Sequence, residues 1–481
     1  MLASPRPAKI LLAALAVIAA VPALSRNSPT IPHLSCGSPP SGEFLLEWQS
    51  KPVHRYQLEK CSLLGSEQWI PVSTVFTGTG GIMSWSTPRT EFQGFYRLQV
   101  SLPPIGRIAF MGDSITEQGS PNLAYLQAYG YFCWARVFGG SRWELEQNGT
   151  TFRFATGGKR SDQISVLHMA QVTASQADAC VLVYGTNDAY QMVLTATFVN
   201  NAVSDWSTLR AAGIEPVAAT VLPMGSVGGQ NGARQARVAE YNVALRAAAT
   251  QHSVVLCDWT TVLEAVAGSN NGIGLDSYYG NNDNLHPNPL AASKLGRELN
   301  ATLSAHFDFT SDTWGNTAWI TPNVALAGTA GQAPDQWNFY PSAGATIHSR
   351  KFVSSPEGNW WEIEISPGTT PGNFNLITFA NNLGGSPAGK TVETLAEIQV
   401  LSGGLSNLSL QTSTGANLAS DLNDGALLGT QVLLADGIVV VRAPRVTLGA
   451  AVTQVIPSLY FGASQPNTIV RIRRCGVRVI E

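Results

Sequence analysis

A serine stands just past a short apolar run, where residues 108–111 lead into Gly112-Asp113-Ser114-Ile115-Thr116. A hydroxyl there, after a glycine that lets the backbone turn sharply, is placed where a nucleophile could meet a substrate. Taken alone, the same serine reads more simply as an N-cap opening a helix. Three further segments have the same strand-to-turn form. Residues 152–155 lead into Gly157-Gly158-Lys159-Arg160-Ser161, and residues 179–184 into Gly185-Thr186-Asn187-Asp188. Asp283-Asn284-Leu285-His286-Pro287 stands before the last helical stretch. Together they hold what acyl transfer needs: a hydroxyl, an imidazole to take its proton, a carboxylate to orient that imidazole, and N–H donors for an oxyanion.

These residues sit where they do because of the elements between them. Apolar runs at 108–111, 152–155, 179–184, 216–221 and 254–257 alternate with helical stretches, clearest at 234–250 and 290–306 by their Ala/Leu content and 3.6-residue period. Such alternation predicts a parallel sheet covered by helices. Substrate in a sheet of this kind binds at the carboxyl ends of the strands, where the first three segments fall.

In this order the four segments resemble blocks I, II, III and V of the SGNH, or GDSL-type, serine hydrolases, an esterase family, over the stretch from Arg107 to His306. The resemblance implies an α/β fold, a flavodoxin-like three-layer parallel sheet, and an acyl-enzyme mechanism. It assigns Ser114 as nucleophile, His286 as the base that later protonates the leaving alcohol, and Asp283 as the partner of the far ring nitrogen. The family's oxyanion donors correspond to the backbone N–H of Ser114, the Gly158 N–H and the Asn187 side chain. Asn187 also reads as a turn residue capping the following helix, a role compatible with the first. Block II departs from the family pattern: Ala155-Thr156 stand where an Asn often begins it, which leaves Gly157 open beside Gly158. Asp113 reads as structural, since the chemistry already has its carboxylate. The Gly-x-Ser-x-Gly elbow of α/β-hydrolases is missing around Ser114, which disfavours that fold. No cofactor is implied, and no paired His or Cys spacing of a zinc site occurs.

The flanks have a different texture. Around 42–103, Phe44, Leu46 and Trp48, then Tyr56 and Leu58, then Tyr96, Leu98 and Val100 alternate with polar neighbours, which predicts a small fibronectin-like β-sandwich. Beyond residue 308 short strands such as 360–365, 437–441 and 468–472 recur between Gly/Pro/Asn-rich turns, which predicts a two-sheet sandwich. The stretch from Gly328 through Trp337 and Asn359-Trp360-Trp361 resembles jelly-roll modules of the carbohydrate-binding kind. Those tryptophans read as sandwich core in preference to sugar-stacking platforms. Expected boundaries are an export signal at 1–25, the first module at 26–103, the hydrolase domain at 104–307 and the second sandwich at 308–481.

Composition narrows the class. Charged residues are 13% of the 481, against about 25% in an average soluble protein, and 46 Gly and 27 Pro imply many turns. The net charge of −3, with no long run of one sign, gives no basis for nucleic acid as partner. Arg6 and Lys9, the apolar run 10–20 and Ala23-Leu24-Ser25 form a cleavable signal; no later segment is long and apolar enough to span a membrane, so the chain is expected secreted or periplasmic. Cys36 and Cys61 are the best candidates for a bridge, while Cys180 and Cys257, in Val/Leu-rich runs, read as buried thiols. The expected activity is an esterase removing acetyl groups from polysaccharide or oligosaccharide. The alternatives are an esterase of simple acyl esters, lysophospholipids or thioesters, and an inactive cell-surface or carbohydrate-binding protein.

Overall fold

The computed structural model describes residues 34–37, 43–61, 68–88, 95–117, 130–144, 146–147, 150–226, 232–279, 285–309, 321, 325–329, 331–356, 358–368, 375–379, 388–414, 417–419, 437–452 and 454–480. The expected export signal lies outside them. The chain divides into two compact units, Met1–Pro103 with Ala305–Asp308, and Pro104–Ser304 with Phe309–Glu481.

In the second unit, five parallel strands form the sheet that carries the site: β1 (Ile108–Gly112), β2 (Arg153–Ala155), β3 (Ala179–Val183), β4 (Glu215–Ala219) and β5 (Val255–Cys257). Their spatial order is β2-β1-β3-β4-β5, the doubly wound arrangement. The five expected strands of this sheet and the helices expected at 234–250 and 290–306 all appear, with ends shifted by at most two residues. Every residue of β1 and β3 is buried, as continuous apolar runs covered on both faces must be. Alternate strand residues serve two layers. Ala109, Met111, Cys180, Leu182 and Ala218 share one core with α3 (Ser161–Ala174), α5 (Thr195–Ala211) and α6 (Gly232–Gln251). On the other face Phe110 packs against Tyr131 and Phe132 of α2 (Tyr131–Phe138). Helix α6 buries Gln235, Val238, Tyr241, Asn242, Leu245, Ala248 and Ala249, one helical stripe of an Ala-rich segment. Gly112 is paired with both Ala155 and Val183, so three strands end level and their turns converge.

Two antiparallel sheets make the N-terminal module: Leu34–Gly37, Glu43–Gln49 and Ile82–Pro88 in one, and Ile70–Pro71, Arg55–Cys61, Phe76–Thr77 and Phe95–Ser101 in the other. Phe44, Leu46 and Trp48 meet Tyr56 and Leu58 in one small core. Among the described residues the C-terminal region is likewise two antiparallel sheets, of five and six strands, Val446–Thr447 being the sixth strand of the second. Trp337, Trp360 and Trp361 are all buried there, with the Trp361 indole N–H donating to the Gln332 carbonyl at 3.1 Å. They are core, as expected, and offer no face to a sugar. Cys180 and Cys257 are buried thiols, as expected, and burial pushes both well up from the ordinary thiol range. The Cys36 side chain lies outside the described residues, and its proposed bridge to Cys61 with it.

Candidate active site

Gly112 ends β1 where only a glycine fits: an added Cβ would stand 2.2 Å from the Val183 carbonyl oxygen and 2.3 Å from Thr116 Oγ1. The chain then turns into α1 (Ser114–Glu117). Asp113, fully buried, caps that helix, its Oδ1 accepting the Ile115 N–H at 3.0 Å. Ser114, half-buried, follows. Its Oγ lies 2.8 Å from His286 Nε2, the contact a serine nucleophile and its base require.

His286 stands just before two pinned residues. Pro287 pairs with Tyr279, and Asn288 donates its side-chain amide to the Ser277 carbonyl at 2.8 Å. The Asn288 Oδ1 accepts the Ala291 N–H at 3.0 Å, the N-cap of α7 (Pro289–His306), with Pro289 at the first helical position where its missing N–H costs nothing. Asp283 lies outside the described residues.

After β2, Thr156 donates its N–H to the Gly112 carbonyl at 3.1 Å, and its hydroxyl lies 2.8 Å from His168 Nε2 on α3. Thr156 is thus hydrogen-bonded through both its N–H and its hydroxyl. Gly157 and Gly158 differ in what they can still donate. The Gly157 N–H goes to Glu117 Oε2 at 2.8 Å, and a Cβ there would stand 2.6 Å from that oxygen and 3.4 Å from Ser114 Cβ. Gly158 is exposed with φ +72°, a left-handed conformation natural to glycine. With Gly157 engaged by Glu117, Gly158 is the stronger oxyanion candidate.

After β3, Gly185 at φ +109° turns the chain into α4 (Thr186–Tyr190). Asn187 points its Nδ2 at Asp113 Oδ2, 3.4 Å away. Burial raises the Asp113 carboxyl to about 7, with the Asp188 charge adding and the Ile115 N–H and Asn187 opposing. Asp188, also buried, accepts both the N–H and the hydroxyl of Ser161 at 2.8 and 2.7 Å. Burial raises its carboxyl too. Asn201 completes the Ser161 hydroxyl at 3.0 Å. Behind them, Asp205 accepts from Tyr184 at 2.8 Å and from Ser165 at 2.7 Å, and burial lifts it to about 6. The structure therefore brings Ser114 to His286, sets the block II turn beside Ser114 and ties Asn187 to Asp113. Glu117, Asp188 and Asp205 are supports that sequence reasoning did not assign; a glutamate three residues after Ser114 and the Asp that closes Gly185-Thr186-Asn187-Asp188 were the available signals.

A five-stranded doubly wound sheet with a Ser–His pair beyond its strand ends defines a hydrolase fold of the SGNH type. Residues 110–293 match the model of the GDSL-like Lipase/Acylhydrolase family, a match that supports a hydrolase acting on esters. The chain is similar in structure to the lipase/acylhydrolase from Enterococcus faecalis, at 17% identity, 43% of this chain, 100% of that one and TM-score 0.34. It is similar also to the acetyl xylan esterase AlAXEase, at 16% identity, 41% of this chain, 99% of that one and TM-score 0.31. For TesA the values are 17%, 41%, 98% and 0.32. No curated protein matches the chain.

Proposed function

We propose that this is an exported serine esterase that removes acetyl groups from polysaccharide or oligosaccharide through an acyl-enzyme on Ser114. The observation that carries the mechanism is the 2.8 Å contact between Ser114 Oγ and His286 Nε2. In the reading, Oγ attacks the ester carbonyl as its proton passes to His286, with Asp283 holding the other ring nitrogen. The oxyanion is met by the N–H groups of Ser114 and Gly158 and by Asn187 Nδ2. Collapse expels the alcohol, which takes the proton from His286; water then repeats the sequence and releases the acid.

Support for a carbohydrate alcohol comes from the exposed polar groups beside the block II and block III turns. Arg160 donates to Asp162 at 2.9 Å and to Gln191 at 3.0 Å, a polar rim suited to sugar hydroxyls. The positively charged start and apolar run of residues 1–25 support export. A second reading, simple acyl esters or lysophospholipids, is favoured by the exposed Tyr190, Met192 and Leu194 just beyond Asn187.

Purified residues 26–481 are tested on p-nitrophenyl acetate, on a long-chain p-nitrophenyl ester and on acetylated xylan, beside Ser114→Ala. Turnover lost in the variant supports the serine mechanism. Acetate release from xylan selects the glycan reading, and preference for the long chain selects the second. A folded wild type as inert as the variant on all three would leave a binding protein.

A further inference from the structure

Within the second unit, the C-terminal sandwich meets the hydrolase domain at a buried cluster of charge. Arg442 ends the strand Val439–Arg442 and is wholly buried. Its Nη1 donates to Glu393 at 3.3 Å, and its Nη2 to the carbonyl of Trp143, in the hydrolase domain, at 2.5 Å. Arg445 joins Glu393, at 2.9 Å, to Glu144 of the hydrolase domain. Arg478 donates to Glu393 at 2.6 Å. From the other side, Arg136 on α2 donates to the same Trp143 carbonyl at 2.9 Å, and buried Ser141 donates to the Val440 carbonyl at 2.5 Å. Buried ions are tolerable only with partners in fixed geometry, and here those partners belong to both domains.

The clamped segment is one packed layer from the nucleophile. The Trp143 ring lies 5.5 Å from Phe110 of β1, and Phe110 lies 6.0 Å from Tyr131. The fully buried Tyr131 hydroxyl is 2.9 Å from Thr116 Oγ1, two residues beyond Ser114. The Glu144 N–H meanwhile donates to the Gly106 carbonyl at 2.9 Å, just before β1.

We propose that the C-terminal sandwich is a fixed structural half of the hydrolase, with Arg442 a positioning residue that sets Trp143 and α2 and, through Tyr131 and Thr116, the turn bearing Ser114. A module that only raises local substrate concentration works on a free tether; this one is locked by its own arginines. The docking claim stands independently of the esterase reading, and only its kinetic arm rests on that reading.

The test uses the full chain with a specific protease sequence placed between Phe309 and Thr321 and cut after folding. The two pieces are expected to co-elute in gel filtration, with p-nitrophenyl acetate turnover retained. Elution as two folded species overturns docking, whether or not the protein hydrolyses the ester. In the kinetic arm, Arg442→Met is expected to lower kcat about tenfold with KM little changed, and Arg442→Lys to recover part of the loss. The control, Arg471→Met, breaks an ion pair with Glu362 inside the sandwich (2.7 Å) and leaves kcat as it was. Equal kcat in Arg442→Met and Arg471→Met overturns the positioning role. Should Arg442→Met fail to fold, Ser141→Ala, which removes one uncharged junction bond, takes its place with the same expected direction.

Discussion

A carboxamide carries two N–H hydrogens, and Asn187 directs Nδ2 at Asp113 from 3.4 Å, which orients the group that would meet the oxyanion. Asn187→Ala should therefore lower kcat by about 10²–10³ with KM nearly unchanged, measured by steady-state hydrolysis of p-nitrophenyl acetate; a loss appearing wholly in KM would assign Asn187 to binding. Asp113 supplies a second prediction. Its carboxyl is raised to about 7, first by burial, so the folded state holds this proton more tightly than the unfolded chain does. Its contribution to stability is accordingly greatest below the ordinary carboxylate range and is lost as pH rises toward 7. Asp113→Asn stays neutral throughout, so its stability relative to wild type should improve from pH 4 to pH 8 in urea titrations. Asn has one side-chain oxygen for both Ile115 and Asn187, so kcat should fall about 10- to 100-fold in the same variant. A pH-independent stability difference would show that Asp113 does not titrate in this range.

At the scale of elements, the two turns flanking Ser114 are one construction. Asp188 on α4 accepts twice from Ser161, the first residue of α3, so the amino ends of both helices move together. Asp188→Asn keeps one acceptor and puts an N–H where the other was. It should cost about 1–3 kcal/mol in urea unfolding and lower kcat more than it raises KM; unaltered kcat in a destabilised variant would separate the network from the site. This construction also marks how far the sequence could be read. Apolar runs and the turn residues after them are local signals, and they located the sheet, Ser114, His286, Asn187 and the glycine pair. The Gly157–Gly158 choice was not local, because it turns on Glu117, 40 residues from Gly157. The Asp188–Ser161 link spans 27 residues, and Arg442 meets Trp143 across 299. Such partners are chosen by packing, which no spacing rule encodes.

Over the whole molecule, the second unit joins a parallel sheet to an antiparallel sandwich through charge that is costly to bury, and Glu393 is the anion on which that junction depends. Burial would raise its carboxyl, but Arg442, Arg445 and Arg478 outweigh burial and hold it at about 2. Burial lowers the Arg442 guanidinium to about 9, with Arg136 adding and Glu393 opposing, so both partners are charged at neutral pH. The Glu393 carboxyl is depressed in the folded state relative to the ordinary glutamate value of 4.5. Its stabilisation is therefore complete above that value and is lost as pH falls through about 2. Glu393→Gln leaves the arginines without that charge and should cost on the order of 3–5 kcal/mol near pH 6. The gap from wild type should narrow below pH 4 and nearly close by pH 2, where the wild-type carboxyl is half protonated, as read by urea midpoints from pH 2 to 7. A gap that persists unchanged at pH 2 would mean that the shape of the residue, and not its charge, holds the junction. Because the junction borders the layer beneath Ser114, activity and tryptophan fluorescence should be lost at one urea concentration in the wild type; activity that outlasts the fluorescence change would make the sandwich dispensable to the hydrolase.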